Sequence, residues 1–228
     1  MSTTQTQEQW NWWKNLPTIW KKIFTAHIYF PNEVKKGFND SFIIENASES
    51  FQSEEDLQEV FQLVRLKYYC EFPENRISEI PDFKYHKSLV WIDLLGNTIE
   101  NIDYLSPVTG MWELNLSENK IRDIKALSQM KELSEVELAS NQIESLEALS
   151  ELSEITNLDL NSNHIKDISP LSGLKNLLWL NLSDNPIEDI SPLAELPQLL
   201  SLSINGVEIS TAELAWLKQK LPSTAIYH

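Results

Sequence analysis

LKNLLWLNLSDNPIEDISPLAE, residues 174–195, is one period of a repeat. Moving back by 22 residues gives LSEITNLDLNSNHIKDISPLSG (152–173), MKELSEVELASNQIESLEALSE (130–151), VTGMWELNLSENKIRDIKALSQ (108–129) and HKSLVWIDLLGNTIENIDYLSP (86–107). A looser copy begins near Val64, and a last copy starts at Leu196 and breaks down after Ile209. A fixed period of this length marks a stacked-coil architecture, in which each coil buries its apolar side chains only against its neighbours.

Aligned, the copies form columns. One apolar column is Leu89, Met111, Leu133, Ile155, Leu177, Leu199; the next is Cys70, Ile92, Leu114, Val136, Leu158, Leu180, Leu202. Two places on come Phe72, Leu94, Leu116, Leu138, Leu160, Leu182, Ile204. A spacing of two is the strand period, so the last two columns point the same way from a short strand. Asn75, Asn97, Asn119, Asn141, Asn163 and Asn185 follow, then Ile77, Ile99, Ile121, Ile143, Ile165, Ile187 and Ile209. After its strand each coil must turn sharply, which frees backbone groups from the sheet. A buried amide with two donors and an acceptor can satisfy those groups in its own coil and the next, so the asparagine ladder is read as structural.

The pattern L-x-x-L-x-L-x-x-N-x-I, followed by x-x-I-x-x-L, resembles the 22-residue leucine-rich repeats of bacterial internalins and of the eukaryotic phosphatase-regulatory subfamily. The DISPL endings at 167–171 and 189–193 are especially similar to internalins. The resemblance covers about residues 64–209. It implies an α/β leucine-rich repeat solenoid with a concave parallel β-sheet, convex 3₁₀ or extended segments, and helical caps at both ends. The expected organisation is a Trp-rich helical cap over 1–63, about seven repeats over 64–209, and a helix-strand cap over 210–228.

In the first flank, residues 1–8 are polar and expected to be disordered. Residues 9–15 and 17–28 read as helices, the second with Ile19, Trp20, Ile23, Phe24, His27 and Ile28 on one stripe and Lys21 and Lys22 off it. Two readings compete for this region. It is a cap over the open apolar end of the first coil, or a membrane-surface helix with Trp and Lys at the interface. The segment carrying Trp13, Leu16, Trp20, Lys21, Ile23 and Phe24 is also similar to one preceding the repeats of some bacterial leucine-rich proteins. A strand is expected at 42–44 and a helix at 53–66, with Ser53 as N-cap and acids in its first turn. At the far end Val207 replaces the ladder asparagine. Ser210 and Glu213 form a capping box, Leu214, Leu217 and Leu221 line one face of the helix, and 225–227 reads as one more strand.

The formal net charge is −16. Lys14, Lys21, Lys22, Lys35 and Lys36 outweigh Glu8, Glu33 and Asp40 in residues 1–40, leaving the acid excess to the repeats. An acidic solenoid argues against nucleic acid, which needs clustered Lys and Arg, and favours a basic protein or peptide. The single cysteine, Cys70, falls in an apolar column and reads as a buried thiol. Disulfides within the chain are excluded. No basic start followed by an apolar run marks a signal peptide, and no run is long enough to span a membrane, so a cytoplasmic location is expected.

Strand residues alternate, so those between the apolar columns face outward on the hollow side. One such column is Tyr69, Trp91, Glu113, Glu135, Asn157, Trp179, Ser201; the next is Glu71, Asp93, Asn115, Glu137, Asp159, Asn181, Ser203. Trp112 sits at the strand entry. Aromatics ringed by charge are what binding hot spots are made of, although Trp91 and Trp179 would also serve to cover a strand edge or a cap. Tyr69, Trp91, Trp112, Glu113, Glu135, Glu137, Asp159, Trp179 and Asn181 are therefore the candidate partner-binding residues. Glu113, Glu135, Glu137 and Asp159 should cluster; the choice between a calcium site and a solvated acidic patch falls to the patch, because no glycine-bearing calcium loop accompanies them. No phosphate loop, dinucleotide fingerprint or G-x-S-x-G is present, and His27, His86, His164 and His228 are scattered. The expectation is a non-enzymatic protein-interaction module without cofactor or metal, binding a protein or peptide on its acidic, Trp-bearing concave face. The resemblance adds two alternatives: a regulatory subunit docking an enzyme such as a phosphatase, and an internalin-like surface adhesin. Both a single copy and a pair joined at an exposed end fit the sequence.

Overall fold

In a computed structural model of the chain, residues 3–29, 54–68 and 76–228 are described. Eight three-residue strands form one parallel sheet in sequence order: β1 (Arg65–Lys67), β2 (Trp91–Asp93), β3 (Glu113–Asn115), β4 (Glu135–Glu137), β5 (Asn157–Asp159), β6 (Trp179–Asn181), β7 (Ser201–Ser203) and β8 (Ala225–Tyr227). Each strand turns its middle residue inward. Leu66, Ile92, Leu114, Val136, Leu158, Leu180 and Leu202 are all but inaccessible to solvent and follow one another in register. The leucine and isoleucine columns complete a continuous core running the length of the stack. On the convex side the chain returns through 3₁₀ turns at Asp103–Leu105, Lys125–Gln129, Glu147–Leu149, Ser169–Gly173 and Ser191–Glu195, each delivering a buried leucine inward. Prolines 170 and 192 sit where a helical turn starts and no N–H is needed.

The asparagines carry out the bridging expected of them, toward the preceding coil rather than the next. Asn141 donates from Nδ2 to Leu138 O at 3.1 Å in its own coil and to Leu116 O at 2.9 Å in the coil before. Its Oδ1 accepts from Ile121 N at 2.9 Å. Asn97, Asn119, Asn163 and Asn185 repeat the arrangement. Where Val207 interrupts the ladder, Ile187 N turns to the carbonyl of Asn185 instead, at 2.9 Å. One place before each ladder position, Val207 included, the backbone is left-handed: Gly96 and Gly206, but also Glu118, Ser140, Ser162 and Asp184 at φ between 54° and 56°. Each of these four donates its N–H to the carbonyl of the following coil or cap, so the stack holds non-glycine residues in a region that costs them about 1–2 kcal/mol.

The first coil departs from the expected alignment. Leu66, not Cys70, pairs with Ile92, so 26 residues separate the first two strands where 22 separate Ile92 from Leu114. Tyr68 takes the place assigned to Phe72: it is buried, its N–H donates to Asp93 O, and its carbonyl accepts from Asn97. The column closes up again at Ile77, whose N–H donates to Asn97 Oδ1 at 3.0 Å. Four residues are thus inserted between strand and ladder. Tyr69, Cys70, Glu71, Phe72 and Asn75, with the strand expected at 42–44 and the N-cap at Ser53, lie outside the described residues.

The N-terminal flank is a cap. Helix α1 (Thr3–Asn15) begins six residues earlier than expected, because its polar first turns find partners: Gln9 is buried and accepts from Gln58, and Gln7 donates to Asn11 one turn on. In α1 and α2 (Thr18–Tyr29) Trp13, Trp20, Ile23 and Phe24 are buried in the main core. Trp12 and Trp20 donate their indole N–H to the carbonyls of Asp82 and Glu79, each at 2.8 Å. These tryptophans face the first coil, which removes the reason for placing them in a lipid interface. No described helix is long and apolar enough to cross a membrane. Helix α3 (Glu54–Phe61) ends sooner than the expected 66, since Leu66 belongs to β1. At the other end α4 (Thr211–Lys220) starts with the expected capping box: Ser210 Oγ accepts from Glu213 N, and Glu213 Oε2 accepts from Ser210 N. Leu217 and Leu221 are buried and Trp216 packs half-exposed against the same core, closing the last coil beneath β8.

Candidate functional site

Residues flanking the inward position of each strand point to the hollow side. In register across β2 to β7 these are Trp91, Glu113, Glu135, Asn157, Trp179 and Ser201 in one row, and Asp93, Asn115, Glu137, Asp159, Asn181 and Ser203 in the next. Trp91 and Trp179 are half-buried on this surface and neither enters the core; Trp112 is 47% exposed at the strand entry. The structure thus brings together seven of the nine candidate residues along one face, with Trp112 exposed at the entry to β3 and Tyr69 outside the described residues.

The second row has a double duty. Asp93, Asn115, Asp159 and Asn181 each turn a side-chain oxygen onto the backbone N–H two residues on, at 2.9–3.2 Å, holding the turn that leaves the strand. Glu137 is one methylene longer and makes no such bond, so its carboxylate is free to project. Burial, followed by the charges of Asp159, Asp93, Glu113 and Glu135, pushes the Glu137 carboxyl up from the ordinary glutamate range. Burial also raises the Asp159 carboxyl, against the pull of the Asn161 N–H and the Asn181 side chain. Glu135, Glu137, Asn157, Asp159 and Trp179 line a hollow of about 280 Å³ on this face. Its chemistry is an aromatic wall facing carboxylates that repel one another.

Two residues of this face were not among the sequence-derived candidates. Because the first strand is Arg65–Lys67, its outward positions carry cations. The Arg65 guanidinium lies 5.3 Å over the Trp91 ring, and Lys67 Nζ is 3.0 Å from Asp93 Oδ2. The face is therefore acidic from β3 to β5 and neutralised at β1–β2. The signal was present: Leu66 and Tyr68 alternate with Arg65 and Lys67 as well as Cys70 and Phe72 alternate with their neighbours. Elsewhere the repeat lysines are engaged at the outer flanks, with Lys131 on Glu151, Lys166 on Glu188 and Lys175 on Glu195, at 3.1–3.6 Å. Among the described residues, no group of three or more His, Cys, Asp and Glu side chains is placed to hold a metal ion.

A family model for leucine-rich repeats in two copies matches residues 113–151. Among solved structures, the fold is similar to internalin C2 of Listeria monocytogenes, at 27% identity and a TM-score of 0.66 over 89% of this chain and 85% of that one. It is also similar to internalin InlF of the same organism, at 26% identity and a TM-score of 0.64, over 89% of this chain but 57% of that longer one. A leucine-rich repeat protein of Leptospira interrogans shares the fold at 20% identity, with a TM-score of 0.63 over 76% of this chain and 50% of that one. No curated protein matches the chain. The fold is one typical of protein-protein interaction modules. More particularly, its repeats are similar to those of the two internalins, at 26–27% identity.

Proposed function

We propose that the chain binds, without catalysing, a protein or peptide that places Lys or Arg side chains in the hollow between β4 and β6. The observation that carries this reading is the pairing of Trp179 with Glu135, Glu137 and Asp159, two of whose carboxyls are held above their ordinary range by burial and, for Glu137, by one another's charge. A cation entering there relieves that repulsion while its stem or guanidinium plane covers the indole. The N-terminal end of the same sheet offers the pattern in miniature, with Arg65 over Trp91 and Lys67 against Asp93. Acid charge across the face favours a basic protein over nucleic acid, whose phosphates it would repel. An enzyme docked by a regulatory subunit and a host-surface protein held by an adhesin would both use this face.

The test is titration of the purified chain against synthetic basic, neutral and acidic peptides of equal length. Basic peptides should bind, more weakly as salt rises. Trp179→Ala and Glu137→Lys should each weaken that binding at least tenfold with unchanged melting behaviour. Equal affinity for all three peptide classes, or both variants binding as the parent does, would remove the concave hollow from consideration.

A further inference from the structure

The N-terminal cap carries two histidines that the binding face does not use. His27, on α2, has Nδ1 2.8 Å from the Ile23 carbonyl and Nε2 2.9 Å from the backbone N of Lys67. An amide N–H only donates, so Nε2 is the acceptor and Nδ1 carries the proton. The neutral ring in that tautomer fastens α2 to the outer edge of β1; a second proton would set N–H against N–H. His86 lies in the segment leading to β2, fully buried in an aromatic cage. Phe24 stacks on it at 5.1 Å and 17°, and Trp12, Phe61 and Phe83 surround it at 5.1–5.3 Å. Neither of its ring nitrogens has a hydrogen-bond partner among the described residues. The cage draws together α1, α2, α3 and the first coil, so a charge on His86 would arise where all four meet, in surroundings that cannot solvate it.

We infer that the cap is an acid-released latch: protonation of His27 and His86 frees α1, α2 and α3 from the first coil while the later coils stay stacked. Burial lowers the His86 pKa from 6.5 to about 3, and burial, opposed by the Ile23 carbonyl, lowers that of His27 to about 4. Both folded values lie below the free value, so the open cap binds more protons than the closed one. The latch is at full strength above about pH 6.5 and weakens as the pH falls toward 4.

Among the described residues, the charged groups on the surrounding elements do not counter this. Lys21 and Lys22 accompany His27 on α2; Glu55, Asp56 and Glu59 lie on α3, and Arg65 and Lys67 on β1. Arg65 and Lys67 are turned to Trp91 and Asp93, and Lys21 to the Lys14 carbonyl. Beside His86, Asp82 pairs with Lys84, which also lies over Tyr85; Lys87 follows it in the chain, and Glu8 and Lys14 are on α1. None of these charges acts on either ring. The coils respond oppositely: Glu137 and Asp159, raised by burial, lose their repulsion as they protonate. Carboxylates held below their ordinary range, Asp123, Asp167, Asp189 and Glu213, weaken the fold only when the pH falls into that range.

At pH 5 each ring shifts the closed-to-open ratio by up to about 30-fold, and the two together by up to about a thousandfold, with His27 contributing slightly less because its pKa is lowered less far. Hydrogen exchange of the full chain, corrected for intrinsic rates, reads this directly. Between pH 7 and 5, exchange in residues 3–29 and 54–68 should accelerate at least tenfold while residues 108–209 keep their protection. His86→Phe keeps the cage filled and His27→Gln keeps an acceptor for Lys67 N; together they should abolish the acceleration. If the double variant does not fold, His86→Phe alone should reduce it by about tenfold or more. A flat response in the parent, an undiminished one in His86→Phe, or simultaneous opening of cap and coils would overturn the latch.

Discussion

Asn141 shows how much one side chain holds. Its amide closes the turn after β4, accepts the Ile121 N–H and reaches the Leu116 carbonyl, all within the stack. Asn141→Ala leaves the Ile121 N–H without its acceptor, at about 1–3 kcal/mol for a buried group left unsatisfied, whereas the Leu116 and Leu138 carbonyls keep the amides of Asn119 and Asn163. The chain itself shows the available escape, since Ile187 N, facing Val207, bonds to Asn185 O instead. Partial rearrangement of that kind brings the expected loss to about 2 kcal/mol, read as a lower denaturant midpoint at unchanged slope. A loss below about 1 kcal/mol would show that the amide is replaceable in mid-stack. Glu137 is the counterpart on the hollow side: freed from the turn that occupies Asp93 and Asp159, it projects its charge rather than using it internally.

At the scale of the element, α4 depends on its first turn. Ser210 and Glu213 satisfy each other's backbone N–H, and the short helix they start closes the apolar end beneath β8. Ser210→Ala should cost about 1 kcal/mol and let the C-terminal strand exchange faster, with little change at β2 to β5. This cap was legible because its signal is local, four residues with a stated hydrogen-bond pattern. The same holds for β2 to β6, where five copies fix inward and outward positions alike. The first coil was misaligned by four residues for a physical reason. Leu66-x-Tyr68 and Cys70-x-Phe72 have the same period of two, and a period does not say on which side of an insertion the strand lies. Only pairing with β2 decides it, and the partner rows that result put Arg65 and Lys67 where an aromatic and an acid were expected. The extent of α1 was missed for a related reason: Gln9 is polar, and its burial depends on Gln58, 49 residues away.

For the whole molecule, translational symmetry is itself testable. Coils touch only their neighbours, so stability is a sum over coils and their interfaces. Removing residues 130–151 would join Gln129 to Leu152, and every column would be refilled by its own kind: Leu158 for Val136, Asn163 for Asn141, Ile165 for Ile143. That variant should fold in one cooperative transition with lower stability and an unchanged circular-dichroism shape. It should also lose basic-peptide binding, since Glu135 and Glu137 leave with the coil while Trp179 stays. Removing 24 residues, 130–153, leaves a coil two residues short of its circuit, and the strand after it meets the sheet out of step. A longer spacing is accommodated, as the 26 residues between Leu66 and Ile92 show, but a shorter one has no slack to give. The 24-residue deletion should therefore lose cooperative unfolding. Equal stability of the two deletions would mean that the coils do not depend on a common interval, and the rows that define the binding face would lose their basis with it.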